Sequence, residues 1–174
     1  MKRLRTCLMM IAVAALIGCA GRGEPLEPVS YVNLERFMGD WYVIAHIPTF
    51  IEDEAYNAVE SYELDGDRIE TTFTFRNERF DGPEKRYEPN AIVRDEESNA
   101  VWGMQFIWPF RSDFRIVHLD EDYATTIIGR NARDYVWIMA REPEISEATY
   151  NELVEKVADM GYELSELRLV PQRW

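Results

Sequence analysis

His46 and His118 are the chain's only histidines, and the alternation around them puts them on different strands. General acid–base work or zinc binding needs such groups gathered at one place with ligands at fixed spacings. No Cys or His spacing of that kind is present. Carboxylates are plentiful: Asp53/Glu54, Glu96/Glu97 and Glu121/Asp122 are adjacent pairs, and Glu60 interrupts an apolar run. In a chain with 32 Asp+Glu against 19 Lys+Arg, adjacent acids read as solvated faces and loops. The residues assign no catalytic group, no metal ligand and no cofactor. A surface this acidic opposes nucleic acid and anionic headgroups.

The remaining reactive side chains are Cys7 and Cys19. Lys2, Arg3 and Arg5 precede an uncharged apolar run from Leu8 to Ile17, ten residues long. A bilayer span needs about 20, so the run reads as an export signal. Its end, Leu16-Ile17-Gly18-Cys19, resembles the box that bacterial lipoproteins present for lipidation. That resemblance implies cleavage after Gly18 and lipid on Cys19. With Ala20 next, and no Asp at that place, it implies an outer-membrane anchor facing the periplasm. The expected division is a lipoprotein signal over residues 1–18, a lipidated tether over 19–30 and one domain over 31–174. Losing the signal takes Lys+Arg from 19 to 16 and the net charge from −13 to about −16. With Cys7 removed and Cys19 lipidated, no disulfide is available, so the domain must be held by its own core.

Short alternating segments dominate the chain beyond the tether. A helical turn within residues 32–38, capped by Asn33, leads through Gly39 into a mostly buried strand, Gly39-Asp40-Trp41-Tyr42 and on to Ile47. Residues 48–55 are acidic and aperiodic, a loop of the length that often carries function. Strands are expected over 58–64, 68–76, 85–93 (interrupted by Pro89), 100–108, 114–119, 123–129 and 135–140. The turn at Asp65-Gly66-Asp67 makes a hairpin of the first two of these. Eight short antiparallel strands form either a sandwich or a barrel, and a closed barrel leaves no exposed edge. A helix over 147–160, capped by Ser146 and stopped at Gly161, carries Tyr150, Leu153, Val154 and Val157 on one face. That face needs the outside of the barrel. Residues 167–170 form a short last strand.

Gly39-x-Trp41-Tyr42, Asp122-Tyr123 and Arg141 stand in the order of the three signature regions of the lipocalins. Trp108-Pro109-Phe110, Leu119-Asp120 and the run from Arg133 to Pro143 resemble the bacterial outer-membrane lipoprotein branch of that family. The likeness covers residues 30–174. It implies an all-β, eight-stranded antiparallel up-and-down barrel with one helix packed outside and a short final strand. It also implies that Trp41 closes the floor with Arg141 over it and that Gly39, Asp122 and Tyr123 lie at the same end.

Continuing that lining by parity puts Val43, Ala45, Ala58 and Ala91 inward. The expected ligand-binding set is Glu60, Tyr62, Thr71, Phe73, Phe75, Tyr87, Trp102, Met104, Phe106, Phe114, Ile116, His118, Trp137 and Met139, with Ile107 outward. Glu60 leaves two readings: it faces the cavity, where an unpaired carboxylate is costly, or the register slips by one and it faces water. The resemblance implies fatty acids or lysophospholipids as ligands, stored or moved in the envelope, and it allows a homodimer. Two other uses stay open: a lipocalin-fold enzyme acting on a hydrophobic substrate, and a filled barrel that binds a protein partner.

Overall fold

Asn33 caps α1 (Leu34–Phe37), its side-chain oxygen accepting a hydrogen bond from the Arg36 amide at 2.9 Å. Gly39 then turns the chain at a φ of +92°, where a Cβ would meet the Arg141 guanidinium at 3.4 Å. It is the positive φ that favours glycine at the entry to β1 (Gly39–Ile47), since that contact is an ordinary one. The computed structural model describes residues 24–174; the expected signal, Cys19 and the first part of the tether lie outside the described residues.

β2 (Ala55–Asp65) and β3 (Arg68–Asn77) form the expected hairpin about Gly66. The next stave is split at Pro89 into β4 (Glu84–Tyr87) and β5 (Asn90–Val93), both paired to β3. Pro89 still serves the sheet by accepting the Thr71 amide at 3.0 Å. β6 (Val101–Ile107), β7 (Phe110–Leu119), β8 (Thr125–Gly129) and β9 (Val136–Ala140) complete the staves. Pairing of β9 with β1 closes eight staves into an antiparallel barrel. β10 (Arg168–Leu169) adds to β1. β7 begins four residues before its expected start because Trp108 and Pro109 form the tip of a hairpin in which Ile107 pairs with Phe110.

Two cores result. Inside the barrel lie Trp41, Val43, Ala58, Tyr62, Phe73, Phe75, Trp102, Phe114 and Met139. Outside, α2 (Glu147–Asp159) lays Leu153 and Val157, flanked by Tyr150 and Val154, on Ile44, Ala45, Ile127 and Ile138. Ser146 caps α2 by accepting from the Thr149 amide at 3.1 Å, and Gly161 ends it at a φ of +84°. Ala45, expected inward, belongs to the outer core. The pairing of β1 with β9 skips a residue between Val43 and Ala45, and that bulge reverses which face later residues take.

Residues 24–30 are not a free spacer. Leu26 is buried, its amide donates to Asn131 Oδ1 at 2.8 Å, and Val29 donates to the Ile116 carbonyl at 2.9 Å. The tether expected over 19–30 is therefore packed on the barrel from Leu26 onward.

Candidate functional site

The barrel's closed end is built around Arg141. Its guanidinium lies 3.9 Å from the centre of the buried Trp41 ring and donates to the carbonyls of Arg36, Phe37, Met38 and Asp40 at 2.8–3.0 Å. Trp41 Nε1 donates to the Phe37 carbonyl at 2.9 Å. Every one of these contacts is spent on the protein itself. Tyr123 joins them, its hydroxyl accepting the Asn33 amide at 2.9 Å and its ring lying 4.0 Å from the Arg36 guanidinium. Asp122 is exposed. The carboxylate that ties this turn is Asp120, which accepts the Ala124 and Thr125 amides at 2.8 and 2.7 Å. β8 accordingly starts at Thr125 rather than at Tyr123.

Above this floor sits a plug of rings. Phe37 packs on Trp41 with centroids 5.0 Å apart, Trp102 stacks on Phe114 at 4.9 Å, and Tyr62 meets Trp102 edge-on at 5.6 Å. Tyr62, Trp102, Ile116 and Met139, all expected to line the cavity, are buried in this inner core instead. Alternation places a side chain inward but leaves its height in the barrel open. Phe75 is also inward, packed on Phe73 at 5.2 Å and stacked with Tyr87 at 6.2 Å. The two rings it packs on are the ones that face the cavity.

The upper half of the barrel holds a cavity of about 480 Å³, within the roughly 300–1,000 Å³ usual for small-molecule sites. Of the expected residues, Glu60, Thr71, Phe73, Tyr87, Met104, Phe106, Phe114 and Trp137 line it. Ile107, expected outward, also faces the opening. The pairing of β6 with β7 shifts between Met104 and Ile107, so Phe106 and Ile107 both reach the mouth. His118 leaves the barrel for the same kind of reason, a shift between Ile116 and His118. It lines a separate recess of about 410 Å³ beside α2, where burial, then Lys156, holds its imidazole below the usual histidine value.

Glu60 faces inward and is 8% exposed. Its partner on β1 is Trp41 and on β3 is Phe73, so it marks the boundary between plug and cavity. Burial raises its pKa to about 7; a hydrogen bond from the Tyr62 hydroxyl works against that, and the charge of Glu52 adds to it. Glu52 is the residue that alternation did not reveal, since the β1–β2 loop has none. The loop folds Glu52 into the wall, where its Oε1 accepts from Trp137 Nε1 at 3.2 Å and from the Thr49 amide at 3.1 Å. Its Oε2 stands 3.7 Å from His46 Nδ1, beyond hydrogen-bonding reach, and neither atom has a hydrogen-bond partner. The length and aperiodicity of residues 48–55 were the available signal. Phe110, Ser112, Asp113, Arg130 and Tyr135 complete the rim, none of them in the expected set.

A closed barrel, an arginine over a tryptophan floor and an apolar cavity open at the other end agree with a family model described as a lipocalin-like domain, matched over residues 32–172. The chain is a lipocalin. It is a binding protein rather than an enzyme. It is 32% identical over 159 residues to temperature-induced lipocalin-1 of Arabidopsis thaliana, covering 86% of this chain and 84% of that protein. It is related to the outer membrane lipoprotein Blc of Escherichia coli K12, with 25% identity over 175 residues and 98% of each chain covered. Lobster apocrustacyanin A1 superposes with a TM-score of 0.65 at 11% identity, covering 82% of this lipocalin and 81% of that chain, a likeness of fold alone. Among the described residues no group of three or more His, Cys, Asp or Glu is placed to hold a metal ion.

Proposed function

We propose that this lipocalin is held at the outer membrane, facing the periplasm, by lipid on Cys19, and that it stores or moves a fatty acid or a lysophospholipid in its barrel. The observation that carries the reading is the 480 Å³ cavity, apolar over most of its wall and open at one end. Removing ten methylenes from water contributes roughly 8 kcal/mol before the costs of binding. The two interior carboxyls favour entry of the acyl chain with its methyl end first. An anionic headgroup placed beside Glu60 and Glu52 would sit against two buried carboxyl groups, and at the rim Arg130 is paired with Asp134 at 3.2 Å and Asp113 with Arg115 at 3.1 Å. The name of the Blc relatives, outer membrane lipoproteins aligned over nearly their whole length, supports the anchor.

Mass spectrometry of lipid released from the protein purified with Cys19→Ser tests the cargo. One dominant single-chain class in near-stoichiometric amount is expected; a protein free of lipid that also takes up none on titration contradicts the reading. The anchor is tested by palmitate labelling. The unsubstituted chain should label and sediment with outer membrane, and label surviving Cys19→Ser rules the residue out.

A further inference from the structure

The mouth of the barrel is an exposed apolar surface as well as an opening. Phe50 of the β1–β2 loop is 87% exposed, and the β6–β7 tip presents Ile107 at 67%, Trp108 at 82% and Phe110 at 75%. Phe50, Ile107 and Phe110 also line the cavity, so two loops distant in sequence meet around one opening. Scattered apolar residues at a surface are ordinary, but four large ones around one entrance mark a contact surface. Trp at such a place suits a boundary between hydrocarbon and water.

The course of the N-terminal segment says what lies opposite. Arg133 and Asn131 belong to the β8–β9 turn, which the cavity-lining Arg130 and Tyr135 place at the mouth. Arg133 donates to the Glu24 carbonyl at 2.9 Å, and Asn131 accepts from the Leu26 amide at 2.8 Å. From there the chain runs to the floor, Val29 bonding to Ile116 and Asn33 to Tyr123. Cys19 is thus five residues from a residue fixed at the open end, a reach of at most about 18 Å when fully extended.

We propose that the open end of the barrel rests on the lipid bilayer, with Phe50, Ile107, Trp108 and Phe110 entering the headgroup boundary. This rests on the reading of Cys19 as the lipidated anchor. Single-chain lipid then passes between the leaflet and the cavity without exposing its acyl chain to water. With a net charge of −13 before the signal is lost and about −16 after it, the chain gains little from electrostatic attraction to a membrane, so the contact is apolar and needs no anionic lipid.

The lipidated chain carrying Trp108→Cys, labelled there with the environment-sensitive fluorophore nitrobenzoxadiazole, is reconstituted in phosphatidylcholine vesicles. Asp122→Cys, exposed at the floor, carries the same probe for comparison. The probe at position 108 should emit at shorter wavelength on vesicles while the probe at 122 keeps its emission in water. Water-like emission at both positions overturns the proposal. So does a blue shift at 108 that needs no vesicles and grows with protein concentration, which assigns the rim to a second copy. Palmitate labelling of Cys19 in the unsubstituted chain separates the two ideas: a labelled protein with a water-exposed rim defeats this inference alone, and an unlabelled Cys19 removes the anchor reading and this inference with it.

Discussion

The two ends of the barrel use the same kinds of residue in opposite ways. At the floor, the charge of Arg141 is consumed by five carbonyls, that of Tyr123 included, and an indole face, and the rings of Phe37, Trp41, Tyr62, Trp102 and Phe114 pack against one another. At the mouth, Glu52 and His46 keep atoms without hydrogen-bond partners, and Phe50, Trp108 and Phe110 stand in solvent. Satisfied polar groups and packed rings are what stability requires, whereas unspent ones are tolerated where something else completes them. The floor therefore reads as scaffold and the mouth as the working surface.

Breaking the floor has the largest expected effect. Trp41→Ala removes a fully buried indole and leaves Arg141 without its face, for a loss of about 3–5 kcal/mol. Chemical denaturation should show it, and an unchanged midpoint would detach Trp41 from the scaffold.

Glu60, at the boundary, gives the next effect, and its sign is set by its raised pKa. Folded, it holds its proton up to about pH 7, while the unfolded chain releases it near 4.5. Its favourable share of stability is thus complete below pH 4.5 and is lost as pH rises through 7, by an amount on the order of 3 kcal/mol. Glu60→Gln keeps an acceptor for the Tyr62 hydroxyl and should flatten that part of the stability profile. Equal slopes between pH 5 and 8 in the two proteins would mean that Glu60 stays ionised on folding.

The smallest effect belongs to the rim. Ile107→Ser should change stability by less than about 0.5 kcal/mol, because its side chain is mostly in water already. A melting midpoint several degrees lower would make the rim part of the scaffold and weaken the contrast between the two ends.

The same physics decides how much of the molecule was legible in the sequence. The floor was legible, since Gly39, Trp41 and Arg141 act through contacts that the lipocalin signature encodes, and the hairpin of β2 and β3 kept strict alternation from Glu60 to Phe73. Alternation failed after each bulge: Ala45, Ile107 and His118 took the opposite face because one extra residue reverses every later side chain. No residue in those strands announced the bulge. Tyr62, Trp102, Ile116 and Met139 were correctly inward yet lie in the plug, because period two carries no information about depth. Glu52 lay beyond any period, in a loop whose inward fold is set by Trp137 and the Thr49 amide.

The proposed lipid site is the upper barrel rather than its outer surface. Thr71 and Thr72 are neighbours on a regular part of β3, the first lining the cavity and the second, by alternation, on the outer face. Titration with a long-chain lysophosphatidylcholine, on variants first shown to melt cooperatively, compares filling the cavity with decorating the outside. Thr71→Trp should weaken binding by about tenfold or more, a loss of at least about 1.4 kcal/mol, and Thr72→Trp should bind like the unsubstituted protein. Equal affinity in all three would contradict an internal site.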